Sequence, residues 1–111
     1  LANYRNQISQ VIPERVITRP PSAELRPNQT DQDSLPDYTV LDEILVAYME
    51  QKITPKELIA RGYSADVVSQ VLNLLQRNEY KRRQSAPGIK ISAVAFGKDW
   101  RYPITNGFKP I

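Results

Sequence analysis

The chain has 111 residues, a formal net charge of +3 and 41% hydrophobic residues, which suffices for about one small domain and not for a two-domain enzyme. It contains neither cysteine nor histidine, which excludes disulfides, thiolate or imidazole metal sites, and catalytic groups built on those side chains. No apolar run approaches the roughly 20 residues of a membrane span, so the sequence predicts a soluble protein of a reducing compartment, the cytoplasm.

The first third of the chain predicts little regular structure. Residues 1–6 resemble the end of a helix, which suggests a piece of a longer protein. Val16-Ile17-Thr18 is a β-branched run that favours a short strand, and Pro20-Pro21 ends it because proline cannot donate to a ladder. Residues 20–37 then hold four prolines among polar residues. Compact domains seldom contain so long an irregular segment unless it is a functional lid or disordered, so we expect a mobile loop here.

Carboxylates and hydroxyls are concentrated in this loop. They occur in Thr30-Asp31-Gln32-Asp33-Ser34 and in Ser22-Ala23-Glu24. Such a density can hold magnesium or orient a polar substrate, and it can equally serve only to solvate a loop and cap its turns. The spacing is not that of a calcium-binding EF-hand, because the glycine and the distal glutamate are missing.

Helical patterns follow the loop. Thr39 is the expected cap of a helix over residues 40–51, whose apolar residues recur on one face. Thr54-Pro55-Lys56-Glu57 is a capping box with proline at the first helical position, and it predicts a short helix over residues 55–61. Gly62 is the expected terminator of that helix.

A third helix is predicted over Ala65–Arg83, capped by Ser64. Six apolar residues form one face of it, so the three helices can share a small core. Its last turns read Glu79-Tyr80-Lys81-Arg82-Arg83-Gln84 and lead into a Pro87-Gly88 turn. Cations at a helix C-terminus suit the helix dipole, and solvent-facing caps are the simplest explanation of any single one of them.

The remaining residues, 84–111, form a basic and aromatic tail. Ile89 to Ser92 alternate apolar and polar residues and predict a second short strand, and the aromatic residues beyond it are expected to pack against other parts of the protein. From Arg77 onward, eight Lys and Arg residues face only two acidic residues, whereas the preceding part has an excess of acids. This asymmetry indicates an anionic partner, either a nucleotide or a nucleic acid backbone.

Two alternatives arise from the helices themselves. Helices 40–51, 55–61 and 64–83 resemble a helix-turn-helix DNA-binding module with residues 89–92 as a basic wing. Recognition helices usually read DNA near their N-terminus, however, and here the first turn carries Ser64 and Asp66 while the cations lie at the other end. The second alternative is that the three helices mainly provide subunit contacts.

Several ordered motifs together resemble the C-terminal part of bacterial glutamine-dependent NAD synthetases. The likeness covers nearly the whole chain and rests on residues 19–27, 29–36, 41–45, 79–84, 87–88, 95–97 and 101–105. It implies an ATP-pyrophosphatase type of Rossmann-like α/β domain, of which this chain is the C-terminal segment. In isolation we expect the chain to be mainly α with one or two short strands.

The resemblance also implies an activity and partners. The parent enzyme adenylylates nicotinic acid adenine dinucleotide with ATP and magnesium, and then admits ammonia to give NAD, AMP and pyrophosphate. An N-terminal nitrilase-like domain supplies the ammonia from glutamine, and the parent forms a homo-oligomer. The family's Ser-Gly-Gly-x-Asp-Ser phosphate loop and its glutaminase Cys, Lys and Glu do not occur in these 111 residues. We therefore expect the chain alone to be inactive.

The family motifs map onto particular residues of this chain. A His-Lys-Arg motif of relatives falls on Tyr80-Lys81-Arg82, and Lys81 is the residue most expected to touch the substrate. Arg19 stands where relatives carry a phosphate-contacting lysine, although Lys and Arg bind phosphates differently. Many members have arginine at the positions of Val94 and Trp100. The predicted substrate- and nucleotide-binding residues are Arg19, Ser22, Glu24, Thr30, Asp31, Asp33, Lys81 and Arg82; no metal ligand is assigned.

Overall fold

A computed structural model describes residues 1–22, 25–31, 34–95 and 97–109. The chain divides into two compact units, Leu1–Leu35 and Pro36–Ile111, which are described separately. The helices are α1 (Ala2–Ile8), α2 (Glu14–Thr18), α3 (Tyr38–Leu45) with a π-helical turn (Val46–Glu50), α4 (Pro55–Ala60), α5 (Ala65–Arg77) and α6 (Glu79–Gln84).

The first unit contains two short helices joined by a side-chain clamp. The amide of Asn6 donates to the carbonyl of Ile12 at 2.9 Å, and its oxygen accepts from the backbone N–H groups of Val11 and Ile12. The strand predicted at residues 16–18 is wrong, because these residues belong to α2. Pro13, with φ −56°, and Glu14 in the first turn both favour the start of a helix. Among the described residues there is also no strand with which this segment could pair.

The second unit begins with a capped helix. Asp37, not the predicted Thr39, is the N-cap of α3, and its carboxylate accepts the Thr39 N–H at 2.8 Å. The helix widens into the π-helical turn, where Ala47 and Met49 are buried. Lys52 then adopts a left-handed conformation with φ 60°, and the N–H of Ile53 bonds to the Ala47 carbonyl. The predicted helix over residues 40–51 is confirmed apart from this change of winding.

Helix α4 has the predicted beginning and end. The Thr54 hydroxyl accepts from the Glu57 N–H, and the Glu57 carboxylate accepts from the Thr54 N–H, which completes the capping box. At the other end Gly62 has φ 102°. Its N–H bonds to the Ile59 carbonyl and the Tyr63 N–H bonds to the Leu58 carbonyl, the pattern of a Schellman motif.

The third predicted helix is two helices in the structure. Ser64 is the N-cap of α5 but makes no side-chain capping bond. Helix α5 ends at Arg77, and Asn78 adopts φ −92° and ψ 10° while its side-chain amide donates to the Leu74 carbonyl at 2.8 Å. An Asn side chain that bonds to its own helix competes with continued helical winding. The break separates α5 from α6, whose first residue, Glu79, is buried.

One hydrophobic core holds the second unit together. Its buried apolar residues are Ile44, Ala47, Met49, Ile53, Leu58, Val68, Val71, Leu72 and Leu75. They come from α3 with its π-helical turn, from the loop after it, and from α4 and α5, as the apolar periodicity predicts. The predicted three-helix core is therefore confirmed.

The tail packs on this core through aromatic side chains, as predicted. The ring of Trp100 makes edge contacts with Tyr48 at 5.4 Å and with Tyr102 at 6.1 Å between centroids. The ammonium of Lys52 lies 4.7 Å from the centroid of the Trp100 ring. Burial and the hydrogen bond with Tyr102 raise the pKa of the Tyr48 hydroxyl. Trp100, Tyr102 and Val94 thus anchor the tail.

The strand predicted at residues 89–92 is also wrong. Ile89 is 90% exposed and Ile91 72% exposed, so neither packs on the core as a strand residue does. The part of the chain that the structure describes contains helices and no strand, which confirms the mainly α prediction and leaves the Rossmann-like parent domain a prediction. None of the described helices is long and apolar enough to cross a membrane.

The positive φ of Gly62 predicts a position-specific cost of adding a methyl group. We expect Gly62→Ala to lower the free energy of unfolding by about 1–2 kcal/mol, because an L-residue resists the left-handed region. Gly88→Ala is the matched control. An added Cβ meets no atom within 4 Å at either glycine, and Gly88 has no positive φ. Urea denaturation measures both variants, and equal stabilities would contradict the account of this turn.

Candidate functional site

The loop of the first unit is closed by its own backbone. The N–H of Asp31 donates to the Pro21 carbonyl at 3.0 Å, and the Asp31 carbonyl accepts from the N–H groups of Ser34 and Leu35. Loops whose ends adjoin in this way are frequently functional. The closure brings the predicted residues Ser22, at one end, and Thr30 and Asp31, at the other, to the same neck. All three are half-buried.

Arg19 lies beside this neck. It is the C-cap residue of α2 and is exposed. It borders an open hollow of about 640 Å³, a size typical of small-molecule sites. The hollow is lined by Pro13, Arg15, Val16, Arg19, Pro20, Pro21 and Ser22. Two of the predicted residues, Arg19 and Ser22, therefore share one concave surface.

Two predicted residues, Glu24 and Asp33, lie outside the described residues. Among the residues that the structure describes, no three carboxylate-bearing side chains come together as a metal-binding group. Magnesium usually takes only one or two carboxylates and completes its shell with phosphates and water. Asp31 fits as a single such ligand, and it does not form a site by itself.

Two of the three cations of α6, Arg82 and Arg83, contact a buried carboxylate. The side chain of Glu79 is 1% exposed. Its Oε2 accepts from Nη2 of Arg82 at 2.8 Å, and its Oε1 accepts from Nε of Arg83 at 3.1 Å. Arg82 also donates to the Leu75 carbonyl at the end of α5. The two arginines therefore satisfy the carboxylate and stabilise the break between the helices.

The tail completes this cluster. Nη1 of Arg101 donates to Oε1 of Glu79 at 3.3 Å, and the backbone N–H of Tyr102 bonds to the same carboxylate. In return, Arg83 donates from Nη2 to the Tyr102 carbonyl at 2.9 Å. Two arginines of α6 and two residues of the tail are thus connected through one carboxylate. We call Glu79, Arg82, Arg83, Arg101 and Tyr102 the Glu79 cluster.

Opposing influences set the pKa of Glu79. Burial raises it, because a desolvated carboxylate is disfavoured. The hydrogen bonds from Arg82, the Tyr102 backbone, Arg83 and Arg101 lower it, and their combined effect prevails, so that the pKa is about 2. Glu79 therefore stays ionised throughout the physiological range.

Lys81 lies on the opposite face of α6. Residues three and four positions apart share a helix face, which directs Glu79, Arg82 and Arg83 inward and leaves Lys81 and Tyr80 outside. Both are exposed. Lys81 makes no hydrogen bond or ion pair with any other described residue, in contrast to Arg82 and Arg83. The two residues predicted here, Lys81 and Arg82, therefore occupy different environments.

The Glu79 cluster was not predicted from the sequence. Glu79 lies three and four positions before Arg82 and Arg83, the spacing at which opposite charges pair on a helix surface. This part of the cluster could therefore have been predicted from the sequence. The contribution of Arg101 could not have been predicted, because Arg101 lies 22 positions after Glu79 and only the tertiary fold brings the two side chains together.

Comparisons with known proteins agree over almost the whole chain. The sequence model of the family described as NAD synthase matches residues 1–85. The glutamine-dependent NAD(+) synthetase of Aquifex aeolicus is 57% identical, covering 97% of this chain and 19% of that protein. That of Acinetobacter baylyi is 59% identical, covering 99% of this chain and 21% of that protein.

A solved structure gives the same result. The glutamine-dependent NAD+ synthetase from Acinetobacter baumannii, in complex with adenosine diphosphate, aligns with a TM-score of 0.62 and 49% identity, covering 96% of this chain and 18% of that chain. The chain is thus similar to one segment of much longer synthetases, and it spans about a fifth of their length. It belongs to the NAD synthase family. These matches give the helix-turn-helix alternative no support.

The Glu79 cluster predicts a stability effect that depends on pH. Because the folded pKa lies below the ordinary value of 4.5, the ionised carboxylate stabilises the fold fully above about pH 4.5, and this stabilisation is lost as the pH falls towards 2. At pH 7 we expect Glu79→Gln to cost about 2–3 kcal/mol, somewhat less than breaking a fully buried pair, because Arg83 and Arg101 are partly exposed.

Asp42→Asn is the matched control, because Asp42 is an exposed carboxylate of the same unit. Urea denaturation at pH 7 and at pH 3 measures both variants. The difference between the wild type and Glu79→Gln should shrink at pH 3, whereas Asp42→Asn should differ little from the wild type at either pH. A Glu79→Gln variant as stable as the wild type at pH 7 would contradict the role of this carboxylate.

Proposed function

We propose that this chain is the C-terminal segment of a glutamine-dependent NAD synthetase. The parent enzyme adenylylates nicotinic acid adenine dinucleotide with ATP and amidates the product with glutamine-derived ammonia to form NAD. The observation that carries this proposal is the high identity with such synthetases over 97% and 99% of the chain. The adenosine diphosphate bound to the Acinetobacter baumannii relative supports a nucleotide as ligand.

Lys81 is the residue of α6 that contacts substrate in this proposal. The cluster beneath it fixes the helix, and Lys81 extends into solvent without a partner among the described residues. A lysine ammonium is a compact point charge that readily binds phosphate or carboxylate oxygens. The parent reaction handles polyanionic substrates, whose developing charge is stabilised by fixed cations.

Arg82 has the complementary role. Its guanidinium is committed to Glu79 and to the Leu75 carbonyl, so we propose that it positions α6, and through it Lys81. The prediction that Arg82 itself contacts substrate stays a prediction. Replacement of Arg82 would then affect folding before it affected binding, whereas replacement of Lys81 would not.

The loop of the first unit covers the nucleotide in this proposal. Its closed neck and the neighbouring hollow support this role, because they present Arg19, Ser22, Thr30 and Asp31 on a small surface. Arg19 supplies a cation for phosphate, and Ser22 and Thr30 supply hydroxyls for hydrogen bonds. Glu24 and Asp33 belong to the same loop and are proposed on the resemblance alone. Magnesium would neutralise phosphate charge, with Asp31 as the described residue best suited to ligate it.

Further parts of the parent protein are required. The described residues of the first unit include several large apolar side chains that are more than half exposed, namely Leu1, Tyr4, Ile8, Val11, Val16 and Leu25. Exposed apolar surface of this kind marks contact with other protein surface. We propose that it packs against the rest of the synthetase domain, that a nitrilase-like glutaminase domain supplies ammonia, and that the parent is a homo-oligomer. The isolated chain is then inactive.

A segment exchange tests this function. The chain should replace the aligned segment of the Acinetobacter baylyi synthetase, to which it is 59% identical, and the chimera should still form NAD from glutamine. In that chimera Lys81→Ala should lower kcat/KM by about ten- to a hundredfold, the loss expected for one hydrogen bond to a charged group. Lys56→Ala, which removes another exposed lysine, should leave kcat/KM unchanged.

The possible failures are distinct. A folded chimera without activity would overturn the proposed function of the chain. An active chimera in which Lys81→Ala behaves like Lys56→Ala would overturn only the role of Lys81. Circular dichroism and oligomeric state, measured on every variant, separate loss of function from loss of fold.

A further inference from the structure

A concave basic surface lies between the end of α6 and the tail. It encloses about 430 Å³, which is within the range of small-molecule sites. We call it the tail groove, and its charged lining residues are Arg82, Arg83, Lys90, Lys98, Arg101 and Asp99. Among the described residues that line it, five side chains are cationic and one is acidic. Lys81 does not line it, and nothing in the proposed function uses it.

The single carboxylate of the groove is already neutralised. Asp99 accepts from the ammonium of Lys90 at 2.7 Å and from the backbone N–H of Ala95 at 3.1 Å. The hydrogen bond from Lys90, followed by that from Ala95, lowers the pKa of Asp99. This ion pair connects the parts of the tail around Lys90 and Asp99. The remaining cations therefore determine the electrostatic potential of the groove.

Two arginines of the groove have donors to spare. A guanidinium carries five N–H groups in a fixed plane. Arg83 uses Nε and Nη2 within the Glu79 cluster, and Arg101 uses Nη1. Nη1 of Arg83, and Nε and Nη2 of Arg101, have no partner among the described residues. The buried carboxylate therefore holds both guanidinium planes from one side while other donors remain for a ligand.

Lys98 supplies a cation that is not neutralised. It is exposed and makes no hydrogen bond or ion pair with the other described residues. The neighbouring Gly97 and the facing Gly88 leave open space, since an added Cβ would meet no atom within 4 Å at either position. Small residues on two sides and a free ammonium make the groove accessible to a group that carries several oxygen atoms.

We propose that the tail groove binds the di- or triphosphate group of a small molecule. Preoriented guanidinium donors and a mobile ammonium match the several oxygens and multiple charges of linked phosphates. The limited volume of the groove, about 430 Å³, suits a compact ligand, whereas an extended nucleic acid backbone requires a basic face that follows the strand. This site goes beyond the proposed function, because it rests on Arg83, Lys98 and Arg101, none of which that function assigns to a ligand.

Inorganic pyrophosphate is the probe for the test. Isothermal titration calorimetry of the 111-residue chain at physiological salt should show saturable binding of one pyrophosphate, with weaker binding of orthophosphate. Lys98→Gln should weaken the affinity by about fivefold and Lys98→Glu by more, the effect expected for one partly solvated charge contact. Lys98 is exposed and has no partner among the described residues, so we expect neither variant to alter stability.

Lys109→Gln is the matched control, because it removes an exposed lysine of the tail that does not line the groove. Its affinity should remain within about twofold of the wild type, since distant exposed charges are screened at this salt. Absence of saturable pyrophosphate binding, or equal effects of Lys98→Gln and Lys109→Gln, would overturn the proposal. Binding of a DNA duplex with steep salt dependence but no binding of pyrophosphate would overturn it in favour of nucleic acid.

Glu79→Gln provides a second and independent readout. The variant gains positive charge, so a groove that acted through net charge alone would bind pyrophosphate more tightly. A groove whose arginines are oriented by Glu79 should bind it more weakly in the fraction that remains folded. These titrations use the chain alone, so their failure leaves the activity of the chimera untouched, and an inactive chimera does not affect them.

Discussion

A buried anion organises the second half of this chain. The carboxylate of Glu79 is 1% exposed and accepts hydrogen bonds from three arginines and a backbone N–H. A lone buried carboxylate costs several kcal/mol of desolvation, and only a complete set of donors offsets that cost. Because the donors come from both α6 and the tail, satisfying Glu79 requires the tail to lie against the helix. The direction of Lys81 and the form of the tail groove both depend on this arrangement.

The consecutive cations Lys81, Arg82 and Arg83 have different surroundings in the structure. Three consecutive cations in a sequence look equivalent, yet their surroundings differ. Arg82 and Arg83 stabilise the fold through their bonds to Glu79. Within the described part of the chain, Lys81 on the opposite face of α6 and Lys98 in the tail make no hydrogen bond or ion pair. Some of the positive charges after Arg77 are therefore paired with carboxylates of the chain, and others remain available to attract an anion. The candidates for binding an anion are therefore the cations that have no partner among the described residues.

Much of the fold could be predicted from interactions between residues that are close in the sequence, whereas features that depend on distant residues could not. The capping box at Thr54 and the glycine at position 62 act over a few residues, so the boundaries of α4 could be predicted. The two strand predictions were wrong because alternation and β-branching do not guarantee a partner strand. Only part of the Glu79 cluster could be predicted from the sequence, because Arg101 reaches Glu79 through tertiary packing. For the same reason the sequence identified Lys81 as a candidate but did not separate its role from that of Arg82.

The most direct measurement of the Glu79 cluster is the pKa of Glu79 in the folded chain. It can be followed by the carbon-13 shift of its carboxyl group during an acid titration, with the Glu79→Gln variant used for assignment. We expect a midpoint of about 2, because the hydrogen bonds of the cluster outweigh the effect of burial. A midpoint at or above the ordinary 4.5 while the chain remains folded would show that the arginines do not hold this carboxylate in its ionised form.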